Sequence, residues 1–462
     1  MNLPPKRLLT AILSLSIIAT GTYIAIQFGK GYRPTKNGSI TGTGLLAANS
    51  FPTGAEVYIN DKLTTATDDT LNLTPGIYKI GIKKDGYIPW EKKITLKEEL
   101  VSQTNATLFR AAPGLSPLTL AGAKNLTPSP DGQKIAFAVT DASSMAKNGL
   151  YVLEMSSNNP LNQFKEPRQI ARNTDQIDYS KSLLLWSPDS SQILAQLPGL
   201  KGSVSNYLLP SASLTETANL RDVSVQLTVI LAGWEEEIAT RETKQFAKLP
   251  LEMQAIATQS ATNVYFSPNE EKVMYTSTQS ATLAQNLINA PLSTNNQPEE
   301  RSLKPDIIYV YDLVNDRNYA IGSIPNLVIE PQKHLLLLKN YQQSTAIDNQ
   351  NVITPTTQAI NDFITLQDQK AFSQTVMNFN THYSSMYTMA YQWYPNSTHL
   401  IHIQGDNIEI VEADSQNRQT IYAGPFADGF IYPWPDGKQI IILTNLNPST
   451  TSPENLYAIA VR

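Results

Sequence analysis

Between Leu8 and Phe28 the chain runs for 21 residues without a charged side chain, and beyond that run its apolar positions fall mostly into alternation. A helix rises about 1.5 Å per residue, so the first run spans roughly 30 Å, the thickness of a bilayer's hydrocarbon core. Residues 1–30 therefore read as a short N-tail and a transmembrane signal anchor. Lys6 and Arg7 precede the run while Lys30, Arg33 and Lys36 follow it, so positive charge does not decide orientation. A cleaved signal peptide is the competing reading. Ala19 and Gly21 are small enough to flank a cut, but the cut would leave Tyr23, Ile24 and Ile26 exposed. A buried helix of a soluble protein is the third reading. No later stretch reaches about 18 apolar residues in a row, so a single span is expected, with the rest of the chain on one side of the membrane.

Residues 31–44, GYRPTKNGSITGTG, are rich in Gly, Thr and Ser and read as a flexible tether. Gly42, Gly44 and Ala47 match a loose dinucleotide-binding pattern, but no strand precedes them and no helical pattern follows, so the context that motif needs is missing. From Leu45 the period becomes two. Val57 and Ile59 alternate with polar neighbours, as do Tyr78, Ile80 and Ile82, and then Ile94 and Leu96. Pro75 with Gly76 predicts a type II turn, and Asp85 with Gly86 a tight hairpin, so antiparallel neighbours are expected over residues 45–112. The segments FPTGAEVYINDK (Phe51 to Lys62) and LNLTPGIYKIGIKKDGYIPWEKKITL (Leu71 to Leu96) resemble the PEGA domain; the opening departs from the eponymous tetrapeptide only by Thr53 in place of Glu. The resemblance implies a small β-sandwich of surface and envelope proteins, often beside a membrane anchor, with no catalytic residues to carry over. Tyr87 and Trp90 could be imagined as a sugar-stacking pair, but aromatics at such spacing ordinarily pack a sheet face.

Beyond Pro113 one short unit recurs: TPSPDGQKIAF (Thr127 to Phe137), LWSPDSSQILA (Leu185 to Ala195), YFSPNEEKVMY (Tyr265 to Tyr275), WYPNSTHLIHI (Trp393 to Ile403) and PWPDGKQIIIL (Pro433 to Leu443), with a degenerate copy at Val328 to Leu338. In each clear copy a proline fixes φ, an Asp or Asn bonds back to its own backbone to tighten a turn, and an apolar strand follows. The prolines at 130, 188, 268, 331, 395 and 435 are separated by 58, 80, 63, 64 and 40 residues. A four-stranded blade needs about 40 to 50 residues, so the shortest gap is a plain blade and the others carry insertions. Trp234 to Gln259 reads as two short helices separated near Pro250, with Trp234, Ile238 and Phe246 roughly on one face. Thr278 to Pro305 and Tyr341 to Asp362 read as polar loops. Further strands are expected at Gly149 to Met155, Pro167 to Ala171, Ile307 to Leu313, Asn407 to Ala413 and Asn455 to Val461. The repeats over residues 113–462 resemble the TolB-like six-bladed β-propeller, although only three copies keep S-P-D or S-P-N, so five or seven blades stay open.

A formal charge of −5, from 35 Lys plus Arg against 40 Asp plus Glu, supplies no basic field for nucleic acid. The absence of cysteine excludes a thiol nucleophile, disulfides and thiolate metal sites. There is no G-x-S-x-G and no H-E-x-x-H. Of the four histidines, His334, His382, His399 and His402, the last two would point to opposite faces of one strand and could not share an ion. Asp131, Asp189 and Asp436 are read as turn-makers rather than acids, and Thr67 to Thr70 as a polar loop with too few oxygens for calcium.

The expected architecture is thus all-β behind a transmembrane helix: a PEGA-like β-sandwich and a propeller of about six blades with a helical insertion. The expected role is that of a membrane-anchored, non-enzymatic binding or scaffolding protein of the cell envelope, with its bulk extracytoplasmic. The PEGA domain would stand near the membrane and the propeller rim would meet a protein or polysaccharide. An enzyme acting in the propeller's central funnel and a structural surface-layer component are the other two classes left open. No residue is assigned as catalytic, cofactor-binding or metal-binding, and no cofactor is expected.

Overall fold

A computed structural model describes residues 5–29, 32–34, 40–155, 166–198, 204–290, 297–323, 391–427, 430–447 and 452–462. Helix α1 (Pro5–Gly29) is apolar on all sides, and none of its Ile12–Gly29 window is buried within the protein. Leu9, Leu13, Ile17 and Ile24 all stand exposed. Such a helix is long and apolar enough to cross a membrane.

The chain divides into two compact units, and the first comprises residues 1–112 with 289–299. Its antiparallel four-stranded sheet orders Lys62–Ala66, Glu56–Ile59, Gly76–Lys83 and Trp90–Leu96. A second sheet pairs Gly44–Ala48 antiparallel with Asp69–Leu73 and parallel with Val101–Gln103. The inward faces, with Leu46, Val57, Ile80, Ile82, Trp90 and Ile94, form one core. Trp90 is 1% exposed, so its ring is core, and Tyr87 packs partly against the same core. Gly86 takes φ +78° at the tight hairpin, as Asp85-Gly86 predicts. The type II turn expected at Pro75-Gly76 is not formed. Gly76 already belongs to a strand with φ outside the left-handed region, because Thr74 and Pro75 carry the chain from one sheet to the other rather than around a hairpin. The tether expected over 31–44 also ends sooner. Gly42, Thr43 and Gly44 are buried, and a Cβ on Gly44 would lie 2.6 Å from the Lys97 carbonyl oxygen, so glycine there serves close strand approach.

The second unit, residues 113–288 and 300–462, is a series of antiparallel sheets. Sheet I holds Lys124–Pro128, Lys134–Val139, Gly149–Glu154 and Arg168–Arg172. Sheet II has three strands, Leu183–Trp186, Gln192–Pro198 and Val204–Pro210. Sheet III holds Ala261–Phe266, Lys272–Ser277, Ile307–Asp312 and Arg317–Ser323, and sheet IV Gln392–Trp393, His399–Gln404, Asn407–Glu412 and Gln419–Ala423. In sheet V the outermost strand is Gly114–Pro117, which pairs with Asn455–Ala460 from the far end of the sequence; Gln439–Thr444 and Ile431–Pro433 complete it. The degenerate repeat at Val328 to Leu338 and the loop at Tyr341 to Asp362 lie outside the described residues.

Each sheet buries both faces, which is why its strands read as near-continuous apolar runs. Ala136, Ala138, Leu150 and Val152 of sheet I meet Trp186, Ile193, Ala195 and Leu209 of sheet II. Its other face, Ile135, Phe137 and Leu153, meets Tyr432, Trp434 and Ile441 of sheet V. Sheet III packs Met274, Ile308 and Val310 against Leu400 and Val411 of sheet IV. Two helices follow sheet II, α2 (Leu227–Phe246) and α3 (Leu251–Gln259), broken at Pro250 as expected but with α2 starting at Leu227, ahead of Trp234. Leu227 and Leu231 are what extend it, because they cover Leu183, Leu185 and Leu194 on the free face of sheet II. Met253, Ile256 and Ala257 of α3 cover Val273, Tyr275, Tyr309 and Tyr311 on the free face of sheet III. Arg241 donates to the Pro188 carbonyl of sheet II at 3.2 Å, and Gln245 to Glu270 of sheet III at 2.9 Å, so one helical layer serves both sheets.

Trp186 is fully buried between sheets I and II, and its indole N–H donates to the Thr127 carbonyl at 2.8 Å. Trp186→Phe keeps most of the apolar bulk but orphans that carbonyl, so chemical denaturation of the full chain should show a loss of about 1–3 kcal/mol in the transition of the second unit. An unchanged midpoint would contradict the bridging role of the indole.

Candidate functional site

The five clear copies of the recurring unit occupy equivalent corners, between the first two strands of sheets I to IV and between Ile431–Pro433 and Gln439–Thr444 in sheet V. The residue two places after the proline is left-handed in every one: Gly132 at φ +69°, Ser190 at +59°, Glu270 at +58°, Ser397 at +60° and Gly437 at +63°. Between proline and that residue stands Asp131, Asp189, Asn269, Asn396 or Asp436. Asp131 accepts from Ser129 Oγ at 2.5 Å and from the Gln133 amide at 2.9 Å; Asp189 accepts from Ser187 Oγ at 2.5 Å and from the Ser191 amide at 3.0 Å. Asn269, Asn396 and Asp436 each take a backbone N–H two residues on. Hydrogen bonds from Ser187 and Ser191 hold the Asp189 carboxyl below the ordinary carboxylate range. These side chains are turn acceptors: in each, one oxygen takes a local backbone N–H, and in Asp131 and Asp189 it also takes a serine hydroxyl.

The corners also join neighbouring sheets. The Asp131 amide donates to Ser190 Oγ at 3.2 Å, and the equivalent Asn269 amide to Ser397 Oγ at 3.0 Å. Trp186 reaches the Thr127 carbonyl, and the equivalent Trp393 the Tyr265 carbonyl at 3.0 Å. Sheets I and II are therefore coupled in the same way as sheets III and IV. Where the serine has been replaced by Tyr394, the phenol donates to the Gly437 carbonyl of sheet V.

The two described histidines lie apart in role; His334 and His382 are outside the described residues. His399 Nδ1 sits 3.0 Å from Asn396 Nδ2 and Thr398 Oγ1 at the corner of sheet IV. His402 is buried, with Arg418 Nη1 against its Nε2 and the Glu409 carboxylate 3.4 Å away. Arg418 also donates to Tyr391 Oη at 3.1 Å and to the Ile321 carbonyl of sheet III at 3.1 Å. Burial and the Arg418 charge push the His402 pKa down from 6.5 to about 4, so the ring is neutral at pH 7 and accepts from the guanidinium. Among the described residues no three His, Asp or Glu side chains gather closely enough to hold a metal ion.

On the free face of sheet III, a buried polar network holds the segment after Thr278. Arg301 pairs with Asp316 at 3.2 Å, the Tyr311 phenol donates to Asp316 Oδ1 at 2.8 Å, and the Leu287 amide reaches Asp316 Oδ2 at 3.0 Å. Tyr275 donates to Asn318 Oδ1 at 2.9 Å, and Asn318 in turn to the Glu300 carbonyl at 2.6 Å. The polar loop read from Thr278 to Pro305 is thus partly ordered, with Ala281–Thr282 paired to Ser302–Leu303, because Arg301 is fixed from both sides. Asp68, read as part of a plain polar loop, accepts from the Ser50 amide at 3.1 Å and lines an open cleft with Asn49, Ser50, Phe51, Asn105, Ala106 and Thr107. Sequence reading missed this cleft because its lining comes from three separated stretches, none carrying a motif.

Residues 43–111 match the PEGA domain family model, so this part of the first unit is a PEGA domain. A search of curated proteins finds no match. Among solved structures, a TolB from Agrobacterium tumefaciens described as putative is 12% identical, with 70% of each chain covered and a TM-score of 0.19. TolB from Acinetobacter baumannii is 10% identical over 83% of this chain and 60% of its own, with a TM-score of 0.20. An oligogalacturonate lyase from Vibrio parahaemolyticus is 9% identical over 86% and 81%, with a TM-score of 0.20. Such scores carry no argument about the fold; the propeller-like character of the second unit rests on the repeated sheets and corners among its described residues.

Two outcomes are expected. Arg301→Met would leave Asp316 buried without its cation and should cost about 3–5 kcal/mol by denaturant titration, whereas a loss under about 1 kcal/mol would place the pair outside the core energetics. His402 takes up its proton in the unfolded chain near pH 6.5 but in the folded one only near 4, so stability should fall as pH drops through that window, by about 3 kcal/mol. In His402→Gln that part of the acid sensitivity should vanish; identical pH profiles for the two proteins would refute the assignment.

Proposed function

We propose that the protein is a membrane-anchored component of the cell envelope that binds or scaffolds other envelope molecules rather than transforming them. α1 is its anchor, the PEGA domain is the first folded unit beyond it, and the propeller-type sheets present the binding surface. The observation that carries this reading is the exposed apolar surface of α1, none of it buried over Ile12–Gly29, which in water would be costly and in lipid is favourable. The PEGA domain supports placement outside the cytoplasm. The second unit favours binding over chemistry because the polar side chains of its corners and core are committed to turns, joints and ion pairs. Its partner is a protein or a polysaccharide of the envelope met by the loops between strands.

Protease added to intact cells should digest the propeller-type unit while a tag at the N-terminus stays protected. Protection of both would overturn the outward placement. Capture with the full chain in detergent, run against separate envelope protein and glycan fractions, should retain a partner that competes with soluble second-unit sequence; no retention from either fraction would count against a binding role.

A further inference from the structure

The cleft of the PEGA domain holds a chemistry that the reading above does not use. Its floor is built, because Ser50–Phe51 pairs in parallel with Ala106–Thr107. The Asn49 amide donates to Thr104 Oγ1 at 2.8 Å and Thr104 Oγ1 donates back to the Asn49 carbonyl at 2.6 Å. Ser50 Oγ lies 2.6 Å from Thr67 Oγ1, and the Ser50 amide holds Asp68 Oδ1. Above this floor the cleft is open, about 470 Å³, within the range of small-molecule sites. Its wall carries two carboxamides, Asn49 and Asn105, one carboxylate, Asp68, and the ring of Phe51, which is 47% exposed. Among the described residues Asp68 Oδ2 and Asn49 Oδ1 have no hydrogen-bond partner, and the Asn49–Asn105 side-chain contact is long at 3.5 Å.

We propose that this cleft binds an uncharged saccharide. Carboxamides and a carboxylate are hydrogen-bond partners for the hydroxyls of a pyranose: Asp68 Oδ2 and Asn49 Oδ1 can accept, and Asn105 Nδ2, which donates one N–H to Gln103 Oε1 at 3.2 Å, keeps a second N–H to donate. A half-exposed phenyl ring gives the apolar C–H face of the sugar a surface to cover. The lining contains no Lys or Arg and one Asp, so an anionic ligand such as a phosphate or a sulfated or uronic glycan would meet repulsion and no counter-charge.

The full chain in lipid nanodiscs should be titrated calorimetrically with chitotetraose, cellotetraose and maltotetraose, and with a hyaluronan and a heparin tetrasaccharide as charged controls. At least one neutral tetrasaccharide should bind and both charged ones should not. Phe51→Ala should weaken that binding by at least about tenfold. Asn105→Gly should do the same without backbone strain, since Asn105 sits at φ +45°, where glycine is at ease. Thermal midpoints close to the parent's establish that the variants fold. No binding of any neutral probe, binding of the charged probes instead, or undiminished binding in both variants would overturn the proposal. Capture of an envelope partner by the second unit should survive both substitutions, so a blank titration leaves that reading standing, and loss of capture alone leaves this one.

Discussion

The second unit depends on one small device, a corner in which proline, an Asp or Asn acceptor and a left-handed residue follow each other, repeated at the start of every sheet. The corner does two things at once. Its acceptor closes the turn that launches the second strand; between sheets I and II and between III and IV its backbone N–H reaches the next sheet's corner, while the tryptophan before the later corner reaches back to a strand carbonyl of the earlier sheet. A sheet buried on both faces has few polar side chains with which to fix its neighbour's position, so much of the alignment falls to the corners, where backbone groups are free to bond outward, with Arg418 adding one side-chain bond between sheets IV and III. The left-handed position explains why serine serves at 190 and 397: it supplies both a tolerable backbone and a hydroxyl for the joint. Gly132 and Gly437 supply only the backbone.

That device was readable in the residues themselves. The recurrence of Pro-Asp or Pro-Asn before an apolar strand located all five described corners, and the expected strands at Gly149, Ile307, Asn407 and Asn455 begin where the structure begins them. What escaped were features set by long-range partners. The start of α2 at Leu227 is decided by the face of sheet II it covers, and neither its sequence nor its caps announce that boundary. The direct packing of sheet III on sheet IV, across a stretch that contains another copy of the repeat, could not be foreseen from spacing. The order of the Arg301 segment depends on Asp316, which reads locally as an ordinary turn residue. The PEGA cleft is assembled from positions 49–51, 68 and 105–107, whose residue types are unremarkable wherever they stand singly.

The two units solve the problem of sheet edges differently. The PEGA domain closes on a sandwich core around Trp90 and adds short parallel pairs beside it. The second unit instead hands each sheet face to a neighbour, and between sheets II and III it uses helices for the purpose. A helical layer packs by side-chain ridges rather than by backbone register, so it adapts to two sheets whose corners are not in direct contact. Arg241, Gln245 and Lys248 restore there the corner-to-corner connection that Trp186 and Ser190 make elsewhere.

The pairing of Gly114–Pro117 with Asn455–Ala460 has a consequence for biogenesis. During synthesis, Gly114–Pro117 has no partner and the flank of sheet I with Ile135, Phe137 and Leu153 stays uncovered until Gln439–Thr444 and Asn455–Ala460 have been made. The nascent polypeptide is therefore aggregation-prone throughout that interval, and a product truncated before Asn455 could not close sheet V however well its earlier sheets had folded.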